Sequence, residues 1–390
     1  MELCDKELCT GCGACVNVCP KSCISLKYDE DGFLYPQVET NLCISCQQCN
    51  KVCPSLNRTD NQNSIPEKAI GCQILDQNIL RKSSSGGAFY AIAQTVIEAG
   101  GVVFGCSMNA DLKPCHKEAR TTEDISAFHG SKYLQSNTGY TYKEVKNHLK
   151  NGQLVLYVGC PCQIAGLYAM LGNADTTNLL TVDLVCHGVG SQKLFEIEVA
   201  AWEQKHGKKI IDYGFRSKDR WSKGHHLCKI VFSDHIRYIR SVNDPYMGCF
   251  LHAANYRENC YHCLYAQFPR IGDMTIGDYV GIDKTCLPKG MFKKGMSVLL
   301  LNNEKATKWF DSICKRLWYT ERPLEESIAT NKNLVQPCNR PKTRDLLHEA
   351  NTLEDDIFKR CRFSLKAKLG MMAGDKVTGI YKKLKSCIKE

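Results

Sequence analysis

The sequence predicts an α/β protein: a short, cysteine-rich α+β module at the N-terminus, then a larger α/β domain. Three observations carry that prediction. Ten of the 25 cysteines fall within the first 55 residues, eight of them in two copies of one spacing. Beyond them, near-continuous apolar runs alternate with stretches of helical period, the pattern of a largely buried sheet flanked by helices. The residues able to do chemistry gather just after the apolar runs, where ligands bind in open α/β sheets.

The chain has 390 residues, of which 43% are hydrophobic, enough for two or three domains and at least one large core. No apolar run approaches the roughly 18–20 residues that span a bilayer. The opening MELCDKELCTGCGAC lacks the apolar core of a signal peptide, so a cytoplasmic location is expected. In a reducing compartment, cysteines serve metals or catalysis more often than disulfides. The net charge of +10 is uneven: Ile357 to Glu390 holds ten Lys/Arg and two acids, a net +8, which leaves the body at about +2. A nucleic-acid-binding core would carry its charge on the fold itself, so nucleic acid is excluded as a partner.

The first motif is Cys9-x2-Cys12-x2-Cys15-x3-Cys19-Pro20, repeated as Cys43-x2-Cys46-x2-Cys49-x3-Cys53-Pro54. In this bacterial ferredoxin run the fourth cysteine ligates the other cluster. Cys9, Cys12, Cys15 and Cys53 then hold one [4Fe–4S] cluster, and Cys43, Cys46, Cys49 and Cys19 hold a second. Gly11 and Gly13 suit the tight turn that wraps three thiolates round a cube face. Zinc sites usually pair two CxxC units and lack the repeated proline. Cys4 and Cys23 lie outside the pattern and are read as bystanders. The polar stretch PSLNRTDNQNSIPE marks a linker. The expected boundaries are a module over 1–56, the linker over 57–68, a domain over 69–345 and a basic tail over 346–390.

In the larger domain AIGCQIL reads as a strand, and Ser83–Gly87 precedes a helix with Ala88, Ile92, Ala93, Val96 and Ile97 on one face. Serines and glycines at a helix start can offer backbone N–H groups to an anion, or simply cap the helix. The strand VVFGC, a helix near Tyr142–Lys150, the strand LVLYVG, a helix over Gln163–Met170 and the strand LLTVDLVC follow. GxGxxG, Walker and HExxH motifs are all missing. Cys162 and Cys186 follow two of the strands, and Cys260-x2-Cys263 lies further on. Together they have the donors for a third [4Fe–4S] cluster, against a zinc site or inert buried thiols.

The ordered motifs SSSGGAF, GSKYLQS (Gly130–Ser136), VGCPCQIAGL, DLVCHGVGS, FRSK (Phe215–Lys218), NCYHCLYA and DMTIGDYVG (Asp273–Gly281) resemble the coenzyme F420 hydrogenase/dehydrogenase beta-subunit family, over about residues 70 to 300. The resemblance implies an iron–sulfur flavoprotein with FAD. It implies that Ser84, Ser85, Gly86 and Gly87 approach the flavin phosphates, and that Lys132, Gln135 and Ser136 lie along the flavin. It also implies that the loop Gly159, Pro161, Gln163 passes its ring, with Arg216 and Lys218 meeting anionic groups. Where the family usually has threonine before the motif's proline, this chain has Cys160, so Cys162 is the family-like ligand and Cys160 is extra.

The function expected is an oxidoreductase that passes electrons between ferredoxin-type clusters and FAD, with hydride exchange to a deazaflavin or another small organic substrate. His187 is the candidate proton donor, or else a hydrogen-bonded turn residue. The alternatives are a ferredoxin-driven reductase of a small metabolite such as a sugar intermediate, or a non-catalytic electron-transfer subunit. Expected partners are a redox protein or hydride carrier and a small-molecule substrate. The basic tail is read as solvated, with weak contact to a membrane surface or an acidic partner as its alternative use. His129, His225 and His226 are read as ordinary polar residues.

Overall fold

Two short strands, β1 (Ile24–Tyr28) and β2 (Leu34–Val38), pair as an antiparallel hairpin in the cysteine-rich module. The remaining strands are β3 (Lys68–Ile74), β4 (Val102–Met108), β5 (Pro114–Ala119), β6 (Val155–Gly159), β7 (Leu179–Leu184), β8 (Ile210–Ser217), β9 (Leu227–Phe232), β10 (Ile236–Arg240), β11 (Met274–Asp278), β12 (Ser297–Leu301) and β13 (Leu317–Pro323). The structure is a computed structural model that describes residues 3–58, 63–220, 227–364 and 366–367.

Eight strands form one mixed sheet in the order β13-β3-β12-β11-β7-β6-β4-β5. β4, β6, β7 and β11 run parallel at its centre, and the flanking pairs are antiparallel. The apolar runs are continuous because both faces are covered. On one face Leu156, Val158, Leu180 and Val182 pack with the helix Ala88–Glu98. On the other, Val155, Tyr157 and Leu179 pack with Tyr142, Val145, Ile164 and Leu167 of the helices Thr141–Lys150 and Pro161–Leu171. Each fully buried Leu or Val contributes about 1.5–3 kcal/mol, which fixes the strand ends that follow.

A second antiparallel sheet, in the order β10-β9-β8, packs against the helix Gln192–His206 through Phe195, Tyr213, Phe215 and Phe232. The packed chain continues beyond the expected boundary at 345. Leu347, Ala350, Ile357, Phe358 and Cys361 are buried in this second core, because their apolar side chains fill space beside the helix Pro245–Leu251. Most of the basic tail (368–390) lies outside the described residues, as do His225 and His226. In the linker, Asn63 donates to the carbonyls of Arg270 and Gly272, and Ser64 bonds to Asn302; residues 59–62 lie outside the described set. Among the described residues no helix is long and apolar enough to cross a membrane.

Candidate functional site

Two pockets in the N-terminal module collect the repeated cysteines. Cys9, Cys12, Cys15 and Cys53 line one, and Cys19, Cys43, Cys46 and Cys49 line the other. The fourth cysteine of each run thus reaches the opposite group. Gly11 and Gly13 have φ of +67° and +81°, the left-handed turn in which an L side chain is strained. They also lie at close approaches: a Cβ on Gly11 would sit 2.2 Å from Gln135 Nε2, and one on Gly13 2.2 Å from Thr138 Oγ1. The turn therefore serves the docking of the module as well as its thiols.

A third pocket is lined by Cys160, Cys162, Cys186, Cys260 and Cys263, with His187, Arg257 and Gln135. The sheet register builds it. Gly159 of β6 stands opposite Asp183 of β7, so the segments after the two strands leave the sheet side by side. Cys160 Sγ lies 3.9 Å from Cys186 Sγ. Pro161 starts the helix Pro161–Leu171, and Gln163 braces it by accepting the Cys160 N–H at 2.9 Å. On the far side a buried ion pair ties β7 to the segment after Cys263. Arg270 donates to Asp183 Oδ1 at 3.0 Å and to the Leu184 carbonyl at 2.9 Å, while the Gly272 N–H reaches Asp183 Oδ2.

Arg257 joins this pocket to the module. It is 1% exposed and donates to the carbonyls of Cys9 and Leu34, each at 2.8 Å, and to Gln135 Oε1 at 3.2 Å. Gln135 in turn accepts the Leu34 N–H at 2.9 Å. The Tyr142 hydroxyl lies 2.7 Å from the Cys12 carbonyl and 2.8 Å from that of Gln163, and it shares its proton between the two thiol regions. Arg257, Tyr142 and the Asp183–Arg270 pair had no sequence signal, because each acts through contacts between segments far apart in the chain.

The three groups suit iron–sulfur clusters by their donor chemistry. Burial and the charge of Cys263, Cys186 and Cys260 push the Cys162 thiol well above its usual range. Cys15 is pushed up by burial and by Cys12, Cys9 and Cys53. Such crowded thiolates are costly alone and are stabilised by a cationic metal centre. Among the described residues no three His, Cys, Asp or Glu side chains converge as they would on a single ion.

The residues expected around a flavin divide into two sets. The first set is committed within the protein. Ser84 Oγ accepts the Ser131 N–H, Ser85 Oγ donates to the Met296 carbonyl, and the Gly86 N–H goes to Ser297 Oγ. A Cβ on Gly86 would meet the Cys72 carbonyl at 2.3 Å, so glycine here serves close packing, and the Gly86 N–H and Ser85 hydroxyl are spent on the protein. Gly87, at φ +85°, begins the helix. Lys218 donates to the carbonyls of Ser85, Lys294 and Leu80, and burial lowers its pKa to about 8. Gln163 Nε2 reaches the Ser136 carbonyl. His116 Nε2–H donates to the Val158 carbonyl, so its Nδ1 accepts from Ser136 Oγ; burial holds this histidine down to about 4.

The second set forms a polar rim near the third thiol group. Asp278, at the end of β11, accepts from Arg216 at 2.5 Å, and Arg216 also reaches the Tyr133 hydroxyl at 3.3 Å. His187 presents its ring at the pocket mouth; crowding by protein lowers its pKa, with Asp278 raising it and Arg216 lowering it. Lys132 is not among the residues that line this pocket; it stands beside Cys106 and Cys115, donates to the His129 and Ala127 carbonyls, and has its pKa lowered by burial. His129, expected to be ordinary, has a buried Nε2 with no hydrogen-bond partner among the described residues and a pKa lowered by burial to about 4. By charge, this rim fits an anionic or polar cofactor group.

Fold and thiols define the class: an iron–sulfur protein with a mixed α/β body. Residues 8–57 match the 4Fe-4S dicluster domain, and residues 152–327 match the family described as the C terminus of the Coenzyme F420 hydrogenase/dehydrogenase beta subunit. Residues 152–327 thus carry the C-terminal domain of that hydrogenase/dehydrogenase beta-subunit family, and residues 8–57 carry a dicluster module in front of it. Among solved structures it is similar to a chain of the F420-reducing [NiFe] hydrogenase complex from Methanosarcina barkeri, studied by xenon derivatization. The identity is 18%, the match covers 77% of this chain and 90% of that one, and the TM-score is 0.46. The search of curated proteins found no match.

Proposed function

We propose that the chain is a flavin-dependent iron–sulfur oxidoreductase that links one-electron to two-electron chemistry. One observation supports this most: the third thiol group opens on the same pocket as His187, while Thr10 and Gly11 of the dicluster module line its other side. In this reading residues 1–56 form the electron-transfer module, and the catalytic domain starts at 69 and runs past the expected end at 345 to include the buried residues up to Cys361. Cys9, Cys12, Cys15 and Cys53, then Cys19, Cys43, Cys46 and Cys49, hold two clusters, and Cys162, Cys186, Cys260 and Cys263 hold a third. FAD is assigned to the rim of Arg216 and His187, with Lys132 along the flavin only as the family resemblance implies. Clusters supply single-electron transfer and a flavin supplies both one- and two-electron exchange; the protein supplies placement.

Arg216 brings positive charge to the rim, and Asp278 fixes its guanidinium. His187 is exposed at the pocket, and crowding by protein lowers its pKa; in its neutral form one ring nitrogen accepts a proton while the other can donate. The two-electron partner is a deazaflavin or another small organic molecule, and the one-electron partner is a redox protein, in a cytoplasmic setting. The test is iron, acid-labile sulfide, zinc and flavin per chain in anaerobically purified protein. About twelve irons, little zinc and one FAD are expected. About eight irons without flavin would overturn both the third cluster and the flavin-dependent activity.

A further inference from the structure

We propose that each of the three thiol groups carries a reserve ligand, a fifth cysteine that replaces one particular ligand when that ligand is lost. The inference rests on reading the groups as cluster sites. In the second group Cys23 is 4% exposed, and its Sγ lies 3.4 Å from Cys19 Sγ, with Cys43 also beside it. In the third, Cys160 Sγ lies 3.9 Å from Cys186 Sγ. In the first, Cys4 lies beside Cys53 and lines the same pocket. Elsewhere, buried cysteines such as Cys72 and Cys228 pack into apolar cores apart from these groups.

The position of each extra thiol gives it a use. Cys53 and Cys19 are the ligands their groups receive from outside the local Cys-x2-Cys run, and Cys186 is one of the two, with Cys162, that the third group receives from outside Cys260-x2-Cys263. They depend on tertiary packing, and each is the ligand most easily displaced when the packing relaxes. In every group the fifth cysteine stands next to that ligand. The exchange is redox-neutral: the iron–sulfur bond to Cys19 breaks, one to Cys23 forms, and the Cys23 thiol proton passes to the departing Cys19 thiolate. Cys160 and Cys186 trade in the same way.

The experiment uses the full chain purified anaerobically, with iron and sulfide counted and the dithionite-reduced protein read by EPR. Cys19→Ala should keep at least three quarters of the second site's iron, whereas the Cys19→Ala/Cys23→Ala double variant should lose about four irons. Cys46, next to no fifth thiol, provides the control. If Cys46→Ala also keeps its iron, the cluster assignment itself fails. If Cys46→Ala loses it and Cys19→Ala loses as much as the double variant, only the reserve-ligand proposal falls. Should Cys19→Ala not fold, Cys186→Ala against Cys160→Ala/Cys186→Ala gives the same comparison in the larger body, and equal iron loss there overturns the proposal.

Discussion

The two thiol groups of the N-terminal module and the third group in the larger body bring together the same kind of donor by opposite routes. In the module, three of four cysteines come from one seven-residue turn, and only the fourth crosses over. In the body, Cys162, Cys186 and Cys260-x2-Cys263 come from three places, aligned by the β6–β7 register and by the buried Asp183–Arg270 pair. A local turn can take shape round its metal; a site set by sheet register exists only where the sheet is folded. Loss of the body's packing should therefore empty the third group first.

The largest effect is expected from breaking that alignment. Arg270→Met leaves Asp183 as a buried charge without its partner, a change that costs about 3–5 kcal/mol. Thermal unfolding of the anaerobic protein should shift down by several degrees. Iron should fall by about four per chain, with the two module sites still filled. Equal iron loss from all sites would show that the module and the body do not differ in the way their thiols are held.

This contrast also explains what could be read from the sequence. The repeated run with its trailing proline reports local geometry, so the gathering of the module's cysteines into two groups and the glycines of its turn were visible as spacing. The strands AIGCQIL, VVFGC, LVLYVG and LLTVDLVC were visible because burial on both faces writes a continuous apolar run. The roles of the polar residues were less visible. Ser85, Gly86, Gln135 and Gln163 carry motif-like chemistry, yet their hydrogen bonds are spent on the protein, and the sequence does not record which partner a donor finds. The same holds for Arg257, whose carbonyl partners lie more than two hundred residues away.

A smaller effect is expected where module and body meet. Gly13→Ala places an L side chain at φ +81° and drives its Cβ to 2.2 Å from Thr138 Oγ1, the hydroxyl that donates to the Cys12 carbonyl. The backbone alone costs about 1–2 kcal/mol. Hydrogen exchange should rise in the helix Ala14–Val18 and in residues 138–142, while the β8–β10 sheet keeps its protection. Unchanged exchange at residues 138–142 would mean that the module is not held through this turn.

The smallest effect is expected under the second sheet, in a region that belongs to neither side of the comparison and so separates stability from metal content. Glu198 and Asp244 are buried together, with the Tyr213 hydroxyl between them and the Trp202 N–H on Glu198 at 3.0 Å. Burial raises both carboxyls; the Asp244 charge adds to the rise at Glu198, which lies well above its usual value, while hydrogen bonds from Tyr213, Met247 and Glu198 oppose the rise at Asp244. A raised carboxyl contributes stability that is complete below its unfolded pKa, near 4.5, and that is lost as pH rises through the folded value. Wild-type stability in denaturant should therefore decline as pH rises above 4.5. Glu198→Gln, neutral throughout, should flatten that decline and gain about 1 kcal/mol at pH 8 relative to wild type. Its iron content should match wild type, because the acid pair's hydrogen bonds go to Trp202, Tyr213, Tyr246 and Met247 and none to the segments of the three thiol groups, although Cys260 packs at the edge of the same core. A fall in iron on this substitution would mean that the β8–β10 lobe supports the third thiol group after all, and the division between locally and globally held sites would have to extend to it.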